Sequence, residues 1–183
     1  MTKAERTRAS LVRAALELFD ERGYDSTTAS AIAERAGVTE MTFFRHFPSK
    51  DSVLIADPYD PLIAEAITHQ PAELSPLAAA MGAIADGWKA VPSPANSEVR
   101  ERLRIVARTP SLRGAIARNN ARTEEAIAGA LTDRGTPKTE ARIAAAATMA
   151  ALSAALLDWA DGDDPDLGTA IDAARRVLRG DPR

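Results

Sequence analysis

Apolar residues recur along this chain at helical rather than strand spacing. Leu11, Ala15, Leu18 and Phe19 share one face of a helix that polar residues otherwise cover. Leu77, Met81, Ile84 and Trp88 step by four, three and four, which predicts a helix over 76–89 with one buried face. Val99, Leu103 and Val106 do the same for 97–108. A longer pattern, Leu112, Ile116, Thr123, Ile127 and Leu131, predicts a helix over 110–133 that stops before Gly135. Residues 137–160 carry two stripes. One is Ile143, Ala147, Ala150, Ala154 and Leu157; the other is Met149, Leu152, Leu156 and Trp159. At about 100° per residue the stripes lie roughly 120° apart, so this helix is apolar around most of its girth. Leu167, Ile171, Ala174 and Leu178 mark a last helix over 165–179. The fold class is all-α.

Punctuation supports the same plan. Among the prolines that directly follow a good capping residue, Asp60-Pro61, Ser75-Pro76, Thr109-Pro110, Thr136-Pro137 and Asp164-Pro165 read as helix starts. Proline fits the first helical position, and the preceding oxygen can accept from free amides. "TKAE" at 2–5 reads as a capping box. "STTASAIAERAG" (26–37) is a short helix capped by Thr27 or Thr28 and closed at Gly37. Thr39 then caps a third short helix, 39–46. Two short helices joined by a tight turn are the pattern of a helix-turn-helix, whose second helix usually enters the major groove of DNA, although glycine turns between helices are common.

"TFFRHFPSK" (42–50) crowds three phenylalanines, a histidine and two cations into a chain that is only 4% aromatic. Phe43 and Phe47, four apart, belong to the core. Phe44 shares its face with Glu40 and Met41, and Thr42, Arg45 and His46 complete an exposed side. Ser49 is expected to cap the next helix, with Lys50 beside its N-terminal amides.

These residues carry a resemblance. "ALELFDERGYDSTTASAIAERAGVTEMTFFRHFPSKDSV" (15–53) resembles, without a gap, the DNA-binding segment of the TetR family of bacterial transcriptional regulators. "FFRHFPSKDSVLIADPYDP" is similar to an actinobacterial-type branch. The resemblance implies an N-terminal three-helix DNA-binding domain (1–49) and a C-terminal helical domain for effector binding and dimerisation (50–183), about nine helices in all. It implies that Thr39, Glu40, Met41, Thr42, Phe44 and His46 face an operator and that Thr28 and Lys50 hold phosphates. The family usually has tyrosine where this chain has Phe44, which cannot donate to a phosphate; its ring could meet a thymine methyl or a sugar instead.

Composition changes the picture little. The net charge is −3, with eight Lys/Arg against seven Asp/Glu in residues 1–50, too weak an asymmetry to advertise a nucleic-acid binder. There is no cysteine, there are two histidines, and no phosphate-cradling glycine loop is present. An enzyme is therefore not expected, nor a metal centre or cofactor. His69 and Tyr59 read as structural or solvent-facing. "DGDDPD" (161–166) fails the calcium-loop pattern, because Pro165 and Asp166 stand where a ligand and the glycine belong; it reads as a solvated turn with Asp164 capping the last helix. The N-terminus lacks the apolar region of a signal peptide, and "AAAATMAALSAALL" (144–157) is shorter than the roughly 18 apolar residues that span a bilayer. A cytoplasmic protein without a membrane partner is expected.

Asn119 and Asn120 interrupt the stripe of 110–133. A polar amide on a core face needs a partner. That partner is either a protein group or the polar end of an apolar or amphipathic effector, in a cavity walled by 76–89, 97–108 and 110–133 with Trp88 as a wall. The break at "ADPYDP" (56–61), where Pro58 removes a donor, would couple such a guest to the N-terminal head. A homodimer is expected through helices 137–160 and 165–179, with either stripe of the former facing the partner. The function expected is a ligand-responsive repressor on a palindromic operator. A helical small-molecule carrier without DNA binding is the alternative, and an enzyme the more distant one.

Overall fold

The computed structural model describes residues 2–55, 60–89, 95–164 and 166–180. Ten α-helices form among them: α1 (Lys3–Arg22), α2 (Ala29–Arg35), α3 (Glu40–His46), α4 (Ser52–Ile55), α5 (Asp60–Thr68), α6 (Pro76–Lys89), α7 (Ala95–Arg108), α8 (Arg113–Asp133), α9 (Lys138–Asp161) and α10 (Leu167–Arg179). A 3-10 turn, Pro110–Leu112, leads into α8. The helix expected after Ser49 is the one-turn α4, too short to carry a periodic stripe.

The chain packs as two compact units that do not follow a cut at residue 49. The first comprises Met1–Ala56 and Glu101–Ile116; the second comprises Asp57–Arg100 and Ala117–Arg183. In the first, Leu11, Ala15, Leu18 and Phe19 of α1 pack with Ile32, Phe43, Phe47 and Val53, and Val106 and Leu112 join the same core. The capping box at Thr2 is formed: its hydroxyl accepts from the Glu5 amide at 3.2 Å and its own amide donates to the Glu5 carboxylate at 2.7 Å. Thr28, not Thr27, caps α2, accepting from the Ala31 amide at 3.1 Å. Thr27 is buried, and its hydroxyl donates to the Leu18 and Gly23 carbonyls. The α2–α3 turn is a Schellman closure. Gly37 sits at φ 70°, its amide donates to the Glu34 carbonyl, and the Val38 amide reaches the Ala33 carbonyl.

In the second unit α6 is buried from Ala79 to Ala85 and serves two clusters. One gathers Ile67, Ala80, Ile127, Leu131, Ala141 and Ala145; the other gathers Met81, Ile84, Ile171 and Ala174, with Trp88, Leu152 and Leu178 half-buried against it. The Arg134 guanidinium donates to the carbonyls of Ile67, Gln70 and Pro71, which satisfies the C-terminal end of α5. Of the two stripes on α9, Met149 and Trp159 point inward, while Ile143, Ala150, Ala154 and Leu157 are exposed. At 24 residues, α9 as a whole is long and apolar enough to cross a membrane by length and composition, although the uninterrupted apolar run is not; a third of its most apolar window is buried within the fold.

Several expected caps are corrected. Ser75 accepts from the Ala78 amide as expected. Thr109 instead donates back to the Ile105 carbonyl at 2.6 Å, so Pro110 opens a 3-10 turn rather than the long helix. Pro137 is itself the N-cap of α9, one position earlier than its predicted place. Asp166, not Asp164, caps α10, accepting from the Gly168 amide at 2.9 Å, while Asp164 accepts from the Asp166 amide. Pro165 lies outside the described residues, as do Pro58 and Tyr59. At Ser49 the hydroxyl that bridges belongs to Ser52: it accepts from the Ser49 amide and donates to the Ser49 carbonyl.

Two glycines separate backbone need from mere tolerance. Gly37 requires positive φ, whereas Gly129 lies within α8 with open space around a would-be Cβ. Gly37→Ala is therefore expected to lose about 1–2 kcal/mol of stability, and Gly129→Ala to gain about 1 kcal/mol. Urea unfolding of both variants beside the parent checks the opposite signs.

Candidate nucleic-acid interface

The third helix is seven residues long and cannot stand alone. It is held from beneath by Phe43 and Phe47, which are 0% and 1% exposed. At its start Thr39 accepts from the Thr42 amide at 3.2 Å, and the two hydroxyls lie 2.9 Å apart. At its end the Arg8 guanidinium donates to the His46 carbonyl at 3.2 Å and lies 4.3 Å from the centre of the Phe47 ring. Arg8 thus satisfies a free C-terminal carbonyl of α3 from α1. Nothing local in the sequence announces it, because the pair is 38 residues apart and no periodicity links them.

What α3 turns outward is the predicted surface. Thr39, Glu40, Met41, Phe44 and Arg45 are exposed, and Thr42 and His46 are half-buried. Phe44 meets Phe43 edge to face, 5.3 Å between centroids and 88° between planes, so a buried ring sets the orientation of an exposed one. Thr28 is exposed at the start of α2, where its hydroxyl proton is not used by the cap.

Lys50 is placed differently from the expectation. Its ammonium donates to the Tyr24 carbonyl at 2.7 Å and the Thr27 carbonyl at 2.8 Å, and lies 3.9 Å from the centre of the Tyr24 ring. Burial lowers its pKa from the ordinary lysine value, against the pull of Asp25 and Asp51. Burial likewise pushes the Tyr24 phenol up to about 12, helped by Asp51 and Asp25. Lys50 is a clasp on the α1–α2 loop, with two of its three donors engaged by backbone carbonyls. Arg35 fixes the other side of α2: it pairs with both oxygens of Glu21 on α1 at 2.9 Å, and this hydrogen bonding lowers the Glu21 pKa.

The proposed effector residues are not gathered by the contacts that place them. Asn120 is half-buried on α8 and donates to the Ser153 hydroxyl on α9 at 3.2 Å, so a protein group satisfies it. Asn119 is half-buried beside it, its carbonyl accepting from the Thr123 hydroxyl. Trp88 packs instead in the cluster of Met81, Ile84, Ile171 and Ala174. An open groove of about 960 Å³ between α8 and α9 is lined by Glu124, Glu125, Gly129, Lys138, Arg142 and Ile143, and by none of these three. The "ADPYDP" break falls largely on 56–59, outside the described residues.

The Lys50 geometry predicts a double effect. Lys50→Met removes two charge-assisted hydrogen bonds and is expected to lose about 1–2 kcal/mol of stability, whereas Arg45→Ala, on an exposed side chain, should stay within about 0.5 kcal/mol of the parent. Urea unfolding distinguishes the two; equal stabilities would remove the clasp.

Residues 11–56 match the family described as bacterial regulatory proteins, tetR family, and residues 74–181 match the MftR C-terminal domain. The HTH-type transcriptional regulator TcmR of Streptomyces glaucescens is 45% identical over 83 residues, which is 44% of this chain and 37% of TcmR. The chain thus spans little more than a third of the length of that relative. Among solved structures, NalD, the secondary repressor of the MexAB-OprM multidrug efflux pump in Pseudomonas aeruginosa, superposes with a TM-score of 0.61 at 26% identity, covering 97% of this chain and 98% of NalD. SmeT, the repressor of the Stenotrophomonas maltophilia efflux pump SmeDEF, shares the fold at a TM-score of 0.59 and 21% identity, over 94% of this chain and 88% of SmeT. With both of its parts matched, the chain belongs to the TetR family of bacterial regulatory proteins and carries an MftR-type C-terminal domain.

Proposed function

We propose that this protein is a ligand-responsive repressor, a cytoplasmic homodimer that binds a palindromic operator and leaves it when a small apolar or amphipathic effector binds. The observation that carries the reading is α3, anchored by Phe43 and Phe47 and presenting Glu40, Met41, Phe44 and Arg45 outward. The likeness to TcmR and NalD, both regulators by name, supports it. On this reading residues 1–49, with Lys50 at the start of the next domain, bind DNA, and the domain over residues 50–183 binds the effector and the partner. Thr28 and Lys50 hold phosphates and the α3 side chains meet bases. The test is a mobility shift with the DNA upstream of the protein's own coding region. A shift that survives excess unrelated DNA and weakens as salt rises supports the reading. Absence of a shift at micromolar protein overturns it and leaves the helical carrier.

The partner face on this reading is the outward stripe of α9 with α10. Ile143 is 64% exposed, Leu157 37% and Val177 76%, far more than a helix core would leave to water. Ala150 and Ala154 between them let a second helix approach closely. Leu157→Glu is expected to keep the fold, to give a monomer in light scattering at micromolar concentration, and to abolish the mobility shift.

Release requires the effector to prefer the DNA-incompetent state, and about 5 kcal/mol of preference moves the equilibrium from mostly bound to mostly free. In the first unit the Ser111 hydroxyl donates to Asp25 at 2.7 Å, and Leu112 is buried beside it in the core. The next helix, α8, begins at Arg113 and continues past Ala117 into the residues of the second unit, Asn120 among them. A guest meeting Asn120 would displace Ser153 from its bond, and one meeting Asn119 would press on the neighbouring turn; either would move α8, and Ser111 would carry that movement to the α1–α2 loop. Ser111→Ala is expected to leave operator affinity nearly unchanged while the effector concentration for half-release rises about fivefold, the worth of one hydrogen bond. Titration with a compound found by thermal-shift screening checks it; unchanged release in both Ser111→Ala and Asn120→Leu would place the switch elsewhere.

A further inference from the structure

Met41 and Phe44 are two of the six large hydrophobic side chains exposed among the described residues, at 74% and 48%. Both stand on a helix of seven residues, in a unit that buries the large aliphatics of α1 and α2. They are not stray. Three positions apart, they share one face of α3, with roughly 5–6 Å between their Cβ atoms. The edge-to-face packing on Phe43, itself fully buried, fixes where the Phe44 ring points. The neighbouring hydroxyls are less free to read bases, because Thr39 and Thr42 bond to each other and to the start of the helix.

The major groove offers one apolar feature, the C5-methyl of thymine. We infer that Met41 and Phe44 read thymine methyls, so that each operator half-site carries two thymines that these side chains cover. A spacing of roughly 5–6 Å against about 3.4 Å per base step puts the two thymines one or two positions apart. Phe44 then does on a methyl what a phenol at its position could do on a phosphate. The inference rests on the DNA-binding reading above and deepens it from DNA in general to a defined chemical feature of the site.

The experiment isolates the methyl group. Duplexes enriched by the protein from a randomised pool are resynthesised with deoxyuridine for thymidine, one position at a time. Uridine keeps every hydrogen-bonding group and lacks only the methyl. At two positions per half-site, affinity is expected to fall about fourfold, the worth of one buried methyl, and to be unaffected elsewhere. Met41→Ala should erase the thymine–uridine difference at one of these positions and Phe44→Ala at the other, while Phe44→Tyr, which keeps the ring, should retain it. Uniform tolerance of uridine, or a difference that survives both alanine variants, overturns the inference and leaves DNA binding intact. Failure to enrich any duplex overturns both.

Discussion

The burial of Phe43 and Phe47 is the constraint on which the rest of the N-terminal unit depends. A seven-residue helix in water has too few hydrogen bonds to offset its nucleation, so α3 exists only as far as its neighbours hold it. Two fully buried aromatic side chains contribute several kcal/mol between them, by about 1.5–3 kcal/mol per large apolar side chain. Everything else acts on the ends. Thr39 closes the first turn, Arg8 takes the last carbonyl, and the Schellman closure at Gly37 sets the angle at which the chain enters. On the proposed reading, side chains that reach bases would gain from this rigidity, since less freedom would remain to be lost on binding.

A second device holds the loop in front of α2. Lys50 follows α3 in sequence, yet its ammonium closes on carbonyls of residues 24 and 27. A lysine used this way is partly structural and partly available. Its three donors let it do both, where a hydroxyl or an amide could not. Asp25, in the same loop, takes the Ser111 hydroxyl, so the loop is tied both to the segment after α3 and to the turn before α8. The loop that positions Thr28 at the start of α2 is therefore the point where local structure and long-range ties meet.

Much of this was legible in the sequence, and the division is physical. Caps and stripes are local: the Thr2 box, Thr39, the Ser75 cap and the bounds of α6 follow from residues within four positions of one another. The exposed and buried sides of "TFFRHFPSK" follow from helix geometry alone. The ties between distant residues were not legible. Arg8 to His46, Arg134 to the end of α5, Ser111 to Asp25 and Asn120 to Ser153 have no period, and each needs the fold before it can be seen. Caps failed where two choices were locally equal. Thr109 has the Ile105 carbonyl four residues back as an alternative to the amides ahead, and Asp164 competes with Asp166 two residues on. The stripe of α9 that faces outward was open for a related reason. Both stripes are apolar, and only the packing of α6 and α10 against one of them decides.

The charge of the chain bears on how the proposed recognition would work. A protein of net charge −3 has little long-range attraction for a polyanion, and Lys50, one of its few cations near α3, spends two donors on its own backbone. Counterion release scales with the number of phosphates neutralised. With few cations engaged, that contribution is modest, and a larger share of affinity and of sequence preference must come from the side chains facing the bases. Glu40 sharpens this, because a carboxylate at the start of α3 repels phosphate and is tolerated where it can accept from a cytosine amine. An acidic regulator with an apolar recognition face would then trade strength on any DNA for discrimination among sequences, and the exposed Met41 and Phe44 are where that discrimination would be made.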